Sequence, residues 1–266
     1  MNENVPQPKG WRALMKADWT RFVFVHFSLP PEALSPYTPL ELDCRDGRAF
    51  ISLVFFRFEG MRPAYLFSDK LGRLLFSPAS NNWFLNVRTY VRGGAGPGIQ
   101  FLVEWMDNPI SLYLGPLLYG LPYRRGEFEC TVPGPDNRFD LSVTDSQTKE
   151  SLRVLLAAGT EAGKQVDPAS LDGFLLEKYT AYTHHRGVSR YFNIRHPRWN
   201  VVPGAVQGIE GTLMGSRCPW FKHARFHSAH AAAGFRDVAM GPPHRLNRGL
   251  QEGFAARIVQ AAPQFQ

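Results

Sequence analysis

Short runs of apolar and β-branched residues recur along the chain, and most follow the two-residue period of a β-strand. The clearest run is residues 83–92. Leu85 lies on a face of mostly apolar side chains, and Asn86, Arg88 and Tyr90 lie on the opposite, polar face. Further strands are predicted at residues 21–27, 48–58, 99–106, 127–132, 139–143, 152–158, 189–195, 206–213 and 226–238. So many short strands predict a mainly β protein.

The polar face of residues 83–92 has two interpretations, and the sequence does not decide between them. The face is either the water-facing side of an outer strand or the interior of a barrel or cleft. In the second case Asn86, Arg88 and Tyr90 form a ladder of side chains about 7 Å apart, since each strand residue advances about 3.3 Å. Glu104, on the polar face of the next strand, is then expected to oppose Arg88.

Three helices are predicted between the strands. A short helix opened by proline covers residues 29–34, and Asn108-Pro109 begins a helix that ends at Gly120. Ser170 caps an amphipathic helix whose apolar positions extend to Tyr179. Residues 60–80 combine glycines and prolines without a clear period, so we expect a loop that covers one end of the fold.

Composition fits a single domain. The chain has 266 residues, 44% of them hydrophobic, which is enough for one sizeable core. The 24 glycines and 21 prolines are spread along the chain, as turns between short strands require. We predict a flexible lead-in at residues 1–10, one domain at 11–243 and a tail at 244–266.

Charge and cysteine usage narrow the class of partner. The net charge of +7, most of it from arginine, favours anionic ligands. The arginines are scattered along the sequence, and no run of basic residues of the kind that binds nucleic acid is present. The three separated cysteines indicate neither a disulfide framework nor a zinc knuckle. No apolar signal core and no stretch of about 18 apolar residues is present, so a cytoplasmic protein without a membrane partner is expected.

The stretch at residues 115–128, GPLLYGLPYRRGEF, carries the most concentrated candidate chemistry. An apolar run stops at Gly120, Pro122 fixes a bend, and Tyr123, Arg124 and Arg125 follow at once. The simpler interpretation is a helix end with solvated arginines. The functional interpretation is a bend that delivers a phenol and guanidinium groups to a ligand site.

Histidines raise the question of a metal. His26 interrupts a buried strand, where a histidine is more often a hydrogen-bonded core group than a catalyst. His223, His227 and His230 have a spacing that suits a metal on a helix, but on the predicted strand His230 takes the opposite face. We therefore predict no metal site and no cofactor.

A family resemblance is carried by the order of six segments, HFSLPPEAL, DGRAFISLVFFR, LNVRTYV, LLYGLPYRR, FLLEKYTAY and HPRW. This order resembles the YqjF-like family of uncharacterised bacterial proteins and covers residues 11–243. That family is similar in fold to acetoacetate decarboxylase. The resemblance implies an antiparallel β-barrel-like sheet assembly with a few helices and an internal pocket, and it also suggests self-association into a homo-oligomer.

The resemblance also implies which reaction is missing. Acetoacetate decarboxylase forms a Schiff base through a lysine that follows a Gly-x-Pro bend, with a second basic residue beside it. Here the bend is Gly120-Leu121-Pro122, the lysine position is Tyr123, and the neighbour is Arg124. Because a phenol cannot form an imine and arginine stays protonated, Schiff-base decarboxylation at this position is not expected.

The remaining hypothesis is a barrel that binds a small anionic molecule, such as a carboxylate or phosphate. Whether it turns its ligand over as a lyase or hydrolase without a covalent lysine is left open, with Tyr123 as the candidate catalytic residue. The candidate ligand-binding residues are Asn86, Arg88, Tyr90, Glu104, Arg124 and His26. A non-enzymatic scaffolding protein and a binder of single-stranded nucleic acid are the alternatives.

Overall fold

Strands dominate the part of the chain that the computed structural model describes, which comprises residues 11–65, 69–131 and 137–246. The first strands are β1 (Met15–Leu29), β2 (Glu41–Leu42), β3 (Ala49–Pro63), β4 (Asn82–Gly93), β5 (Gly96–Met106), β6 (Tyr123–Thr131) and β7 (Arg138–Asp145). They are followed by β8 (Ser151–Ala158), β9 (Lys164–Gln165), β10 (Thr180–His185), β11 (Val188–Arg195), β12 (Asn200–Glu210), β13 (Arg225–Met240) and β14 (His244–Arg245). The predicted mainly β class is confirmed.

Helices are short and lie between strands. They are α1 (Pro31–Leu34), α2 (Asp69–Phe76), α3 (Pro109–Tyr119), α4 (Leu171–Leu176) and α5 (Leu213–Arg217), with 3₁₀ turns at Ser35–Tyr37, Ser77–Ala79 and Pro219–His223. No helix among the described residues is long and apolar enough to cross a membrane.

Nine strands close into a barrel, in the spatial order β4, β5, β6, β7, β8, β12, β13, β1, β3 and back to β4. Its interior is packed with aliphatic and aromatic side chains, among them Val25, Leu53, Leu141, Val154 and Trp105. This interior is a solid core rather than a ligand chamber.

A second, smaller ring shares a wall with the barrel. Strand β5 forks, because its first half pairs in parallel with β10 while its last residues pair in parallel with β6. Strand β10 continues through β11 to β13, so β4, β5, β10, β11, β13, β1 and β3 enclose a second interior. We call these seven strands the smaller ring, and β13, β1, β3, β4 and β5 the shared wall. Helix α4 packs into this second interior through Phe174 and Leu175.

The shared wall explains why its strands read as nearly continuous apolar runs. In β1, Val25 faces the barrel core and Phe24 faces the interior of the smaller ring, and both are fully buried. In β3, Leu53 likewise faces the barrel core and Val54 faces the interior of the smaller ring. A strand buried on both faces shows no hydrophobic–polar alternation, whereas a strand with one wet face does.

The prediction of a loop at residues 60–80 is wrong. Strand β3 continues to Pro63, and α2 and a 3₁₀ turn occupy most of the remainder. Ion pairs between distant segments help to order this part of the chain. The Arg62 guanidinium is fully buried and forms ion pairs with Asp18, Asp69 and Asp237, which ties β3 to the start of α2 and to β13.

Three further boundaries differ from the sequence predictions. Ser170 caps α4 by accepting from the Gly173 amide, but the helix ends at Leu176, before Tyr179. The strand predicted at residues 206–213 lies earlier, as β12, and Leu213 begins α5. In the predicted C-terminal tail, His244 and Arg245 form β14 against β11. Residues 1–10 and 247–266, which include the predicted lead-in and most of that tail, lie outside the described residues.

Candidate functional site

A row of paired residues crosses six neighbouring strands and lines the smaller ring. Residues paired across adjacent strands lie about 4.5–5.5 Å apart and project to the same side of the sheet. That side faces the smaller ring here, since Phe24 and Val54 belong to its core. From β13 to β6 the row reads His230, Phe24, Val54, Asn86, Glu104 and Tyr123.

A second row lies beside the first, where His26, Ser52 and Arg88 are paired across β1, β3 and β4. A bulge between Val87 and Arg88 shifts the pairing with β5, so that Arg88 opposes Phe101 and Glu104 opposes Asn86. The expected Glu104–Arg88 pair is therefore wrong. The polar face of β4 is nevertheless the interior of a ring and not the water-facing side of an outer strand.

Hydrogen bonds join the second row to Tyr90. His26 Nδ1 lies 2.7 Å from Ser52 Oγ, and Ser52 Oγ lies 2.5 Å from the Tyr90 hydroxyl. The Tyr90 hydroxyl donates to the Leu175 carbonyl at 2.9 Å, and Arg88 Nη2 donates to the same carbonyl at 3.3 Å. Strand β4 thus reaches α4 on the far side of the interior, which holds both side chains in place.

Positive charge surrounds this chain of hydrogen bonds. The Lys178 ammonium lies 4.2 Å from the Phe174 ring centroid and 5.8 Å from that of Tyr90. Burial, together with nearby arginines that include Arg88, lowers the pKa of Lys178 to about 8, although Asp43 opposes this shift. Burial likewise lowers the pKa of His26 well below its usual value, with His230 and Arg88 adding to the effect.

Several buried polar atoms in the two rows have no hydrogen-bond partner among the described residues. They are Asn86 Oδ1, Glu104 Oε2, Arg88 Nε, His26 Nε2 and His230 Nδ1. Buried polar atoms in native proteins almost always have partners, so such a group of them marks a place where water or a ligand completes the structure.

Burial favours the uncharged form of both Glu104 and Tyr123, because it raises the pKa of each. Glu104 is buried, and desolvation raises the pKa of its carboxyl well above the usual value. Desolvation also raises the pKa of Tyr123 well above its usual value, and the neighbouring Glu104 adds to this shift. The end of the first row therefore offers hydrogen-bond donors rather than charges.

Tyr123 also lines an apolar cavity of about 320 Å³ between α3 and the strands. Its wall includes Phe84, Leu114, Tyr119 and Phe192. The predicted bend positions Tyr123 as expected: α3 ends at Gly120 in the left-handed conformation, with φ of 69°, and β6 begins at Tyr123.

Arg124 is directed away from the two rows. Its Nε donates to Asp145 Oδ2 at 2.7 Å and its Nη2 donates to Gln147 at 2.8 Å. It lines, with Tyr123, a separate cavity of about 640 Å³ at the fork of β5. The structure therefore brings together Asn86, Arg88, Tyr90, Glu104 and His26, places Tyr123 at one end, and separates Arg124 from the group.

The histidine triplet does not form a joint site. His223 lies in a 3₁₀ turn, whereas His227 packs against Phe50 of the smaller ring and lies, like His230, near His26, so the expectation that His230 takes the opposite face is wrong. His230 Nε2 meets Asp172 Oδ2 at 3.4 Å. Within residues 11–65, 69–131 and 137–246, no group of three or more His, Cys, Asp or Glu is arranged to hold a metal ion.

Sequence analysis missed Ser52, Lys178 and His230 as members of the site. Ser52 had a usable signal, because it is the one hydroxyl within the apolar run of residues 48–58. Lys178 and His230 had none, since their approach depends on the pairing of β1 with β13 and on the packing of α4.

Comparison with known proteins places the chain among uncharacterised relatives. The model of the DUF2071 family, described as an uncharacterized conserved protein, matches residues 16–234. The uncharacterized protein YqjF of Bacillus subtilis strain 168 is 28% identical over 200 residues, which cover 74% of this chain and 78% of that protein.

Solved structures share the fold at low sequence identity. An acetoacetate decarboxylase-like enzyme from Sphingomonas wittichii RW1 matches with a TM-score of 0.62 and 15% identity, covering 93% of this chain and 98% of that one. The enduracididine biosynthesis enzyme MppR complexed with pyruvate matches with a TM-score of 0.60 and 14% identity, over 93% and 98%. Acetoacetate decarboxylase from Legionella pneumophila matches with a TM-score of 0.60 and 10% identity, over 92% and 94%.

Proposed function

The chain belongs to the DUF2071 family, and from that premise we propose that it binds a small organic anion inside the smaller ring, with the carboxylate or phosphate of the ligand on Arg88. Asn86, Tyr90, Glu104 and His26 complete the binding site. Arg124 is left out, because Asp145 already neutralises its charge.

The observation that carries the proposal is the group of unpaired buried polar atoms in the two rows, with an arginine at its centre. The half-buried Arg88 donates to the Leu175 carbonyl and lies beside the Tyr90 hydroxyl, and it forms no ion pair among the described residues. A guanidinium ion inside a protein is normally paired with an anion. A ligand carboxylate or phosphate supplies that anion and occupies the free Nε–H.

The neighbouring groups favour an anion over a cation. Lys178 and Arg88 contribute positive charge, and the carboxyl of Glu104 is held uncharged by burial. The acidic groups nearby, Asp172 and the buried Asp43, are already held in ion pairs. A cationic ligand would meet repulsion from Arg88 without a free carboxylate among the described residues to offset it.

Tyr123 and Glu104 are proposed to act as neutral acids. Because burial raises the pKa of both groups, each favours its protonated form, which can donate a hydrogen bond or a proton to a ligand. Tyr123 cannot form the imine that a lysine would form. Any turnover at this site then proceeds through acid–base chemistry without a covalent intermediate at residue 123.

Pyruvate is the first ligand to test. MppR is a fold relative that has been obtained in complex with pyruvate. A three-carbon keto acid offers a carboxylate for Arg88 and a carbonyl oxygen for a neutral donor, and its charge suits the interior described above.

The experiment is calorimetric titration of the protein with pyruvate and with inorganic phosphate. Arg88→Gln is expected to weaken binding at least about tenfold, since a hydrogen bond to a charged group contributes about 1.5–3 kcal/mol. Arg236→Gln is the matched control, because Arg236 is an exposed arginine on β13 outside the site. Equal affinities for Arg88→Gln and the unmodified protein would refute the proposal.

A further inference from the structure

The hydrogen bonds of the second row fix where their protons lie. The Leu175 carbonyl can only accept, so the single proton of the Tyr90 hydroxyl is directed to it. Ser52 Oγ, at 2.5 Å from Tyr90, must then donate its own proton to the Tyr90 oxygen. With that proton committed, Ser52 Oγ can only accept at its other contact, which is His26 Nδ1 at 2.7 Å.

This series of hydrogen bonds selects one tautomer of His26. Nδ1 carries the proton, and Nε2 keeps a free lone pair, because burial holds the imidazole neutral through its lowered pKa. Nε2 has no partner among the described residues although the side chain is fully buried. The same directions exclude Ser52 as a nucleophile activated by His26, since the histidine donates to Ser52 and does not take its proton.

His26 and Arg88 flank one aromatic ring. The His26 imidazole lies nearly parallel to the Phe24 ring, with centroids 6.1 Å apart, and Arg88 Cζ lies 5.6 Å from the centroid of that ring. Between them in the row stands only the small side chain of Ser52. His26 and Arg88 therefore lie on either side of Ser52 and face the same interior, in which an acid on Arg88 would lie.

We propose that His26 is a general base, which removes a proton from the carbon next to the carbonyl of a keto acid held by Arg88. This inference rests on the proposed function and adds a reaction class to it. The carbon–hydrogen bond breaks and its proton moves to Nε2. The bonding electron pair forms a carbon–carbon double bond, and the carbonyl π pair moves to oxygen, giving an enolate. The reverse transfer returns a proton to carbon, so no oxidant or further reactant is needed.

The surroundings of His26 suit this step. His230, Arg88 and His227 all disfavour a charged imidazole, so the free protein keeps the base unprotonated at neutral pH. An arriving carboxylate brings negative charge, which opposes that effect and makes His26 a stronger base once the ligand is bound. The enolate oxygen forms in an interior that already holds the cations of Arg88 and Lys178.

The test is hydrogen–deuterium exchange of the pyruvate methyl group in D₂O, followed by ¹H NMR over hours against a protein-free control. Four variants accompany the unmodified protein. His26→Asn keeps a donor near Ser52 but lacks the Nε2 base, and Arg88→Gln lacks the anchor. Ser52→Ala keeps the imidazole but no longer fixes its tautomer. His223→Asn, at an exposed histidine of a 3₁₀ turn, is the control.

We expect the unmodified protein and His223→Asn to exchange the methyl protons well above the control. At pyruvate concentrations that saturate each variant, His26→Asn should exchange the methyl protons at least about 100-fold more slowly, the usual contribution of a positioned base. Ser52→Ala should exchange them several-fold more slowly under the same saturating conditions, which a merely structural role of His26 would not produce. Thermal unfolding of each variant identifies any that does not fold. If His26→Asn does not fold, the exchange rate of Ser52→Ala tests the inference instead.

Two outcomes are decisive against the inference. If the unmodified protein binds pyruvate without exchange above the control, or if His26→Asn exchanges it as fast, His26 is not the base, while the binding proposal stands. If pyruvate does not bind to the unmodified protein in the calorimeter, the binding proposal fails and the inference fails with it.

Discussion

Replacing Glu104 by glutamine is expected to make the folded protein more stable at pH 7 than the unmodified chain. Glu104 is buried, and one of its carboxyl oxygens has no partner among the described residues. Burial raises the pKa of this carboxyl well above its usual value of 4.5. The unfolded chain therefore loses the proton at a lower pH than the folded chain, and folding takes up a proton between those two values.

The sign and size follow from proton linkage. A raised folded-state pKa means that stability is unaffected below 4.5 and falls as pH rises from there toward the folded-state pKa. Each pH unit in that window costs about 1.4 kcal/mol, so the interval from pH 5 to pH 7 costs up to about 2.7 kcal/mol. For a chain of this size that corresponds to roughly 5–10 °C in the unfolding temperature. Glutamine has no such dependence.

The assay is unfolding in denaturant at pH 5, 6 and 7 for the unmodified protein, Glu104→Gln and Glu129→Gln, without ligand. Glu129 lies exposed on β6, so its variant removes an equal charge without the burial. Only the difference between Glu104→Gln and the unmodified protein should grow with pH, since every other titrating group is common to both. Parallel pH profiles for the two would show that Glu104 is not held protonated by burial and would refute the reasoning.

Two further predictions concern the frame around the site. Asp145→Asn should lower the free energy of unfolding by about 2–4 kcal/mol at pH 7, because Asp145 accepts from Arg124 and Trp105 in a buried position. Burial alone would raise the pKa of Asp145, but these hydrogen bonds outweigh it and lower the pKa, so denaturant titration should show the loss shrinking below about pH 4. Gly120→Ala should lower the unfolding temperature by about 2–8 °C, since φ is 69° there and a Cβ would lie 2.6 Å from Arg190 Nη1. An unchanged unfolding temperature would show that the backbone at residue 120 relaxes freely.

The parts of the fold that the sequence predicts well are those governed by local chemistry. The helix end at Gly120 follows from the left-handed conformation that glycine accepts, and the cap at Ser170 follows from its side-chain oxygen. The faces of β4 follow from its alternation, which puts Asn86 and Arg88 on one side. The resemblance supplied the architecture, which local patterns alone do not specify.

The parts that the sequence did not predict depend on contacts between distant segments. The helix α2 was missed because its stability comes partly from Arg62, whose acidic partners lie on three separate segments. The predicted partner of Glu104 was wrong because the register of β4 and β5 follows from the turn that pairs Gly93 with Gly96 and from one bulge beyond it, and no residue pattern indicated that register. Arg124 follows Tyr123 in a strand, so it had to face the opposite side once Tyr123 faced the smaller ring.

The candidate site shows the same division. Its members on β4 were visible as an alternating polar face, but the sequence could not place that face inside a ring. That face lies inside a ring because α4 covers the interior, and the Leu175 carbonyl of α4 accepts hydrogen bonds from Arg88 and Tyr90. A short helix packed inside a ring of strands is a tertiary feature, and it encloses a polar strand face that water would otherwise cover.

A crystal structure of the protein grown with pyruvate tests the central claim most directly. The account predicts density for the acid inside the smaller ring, with its carboxylate within hydrogen-bonding distance of Arg88 and its carbon chain beside His26. An interior in which ordered water alone occupies Arg88 Nε, His26 Nε2 and Glu104 Oε2, at pyruvate concentrations that saturate binding, would contradict it.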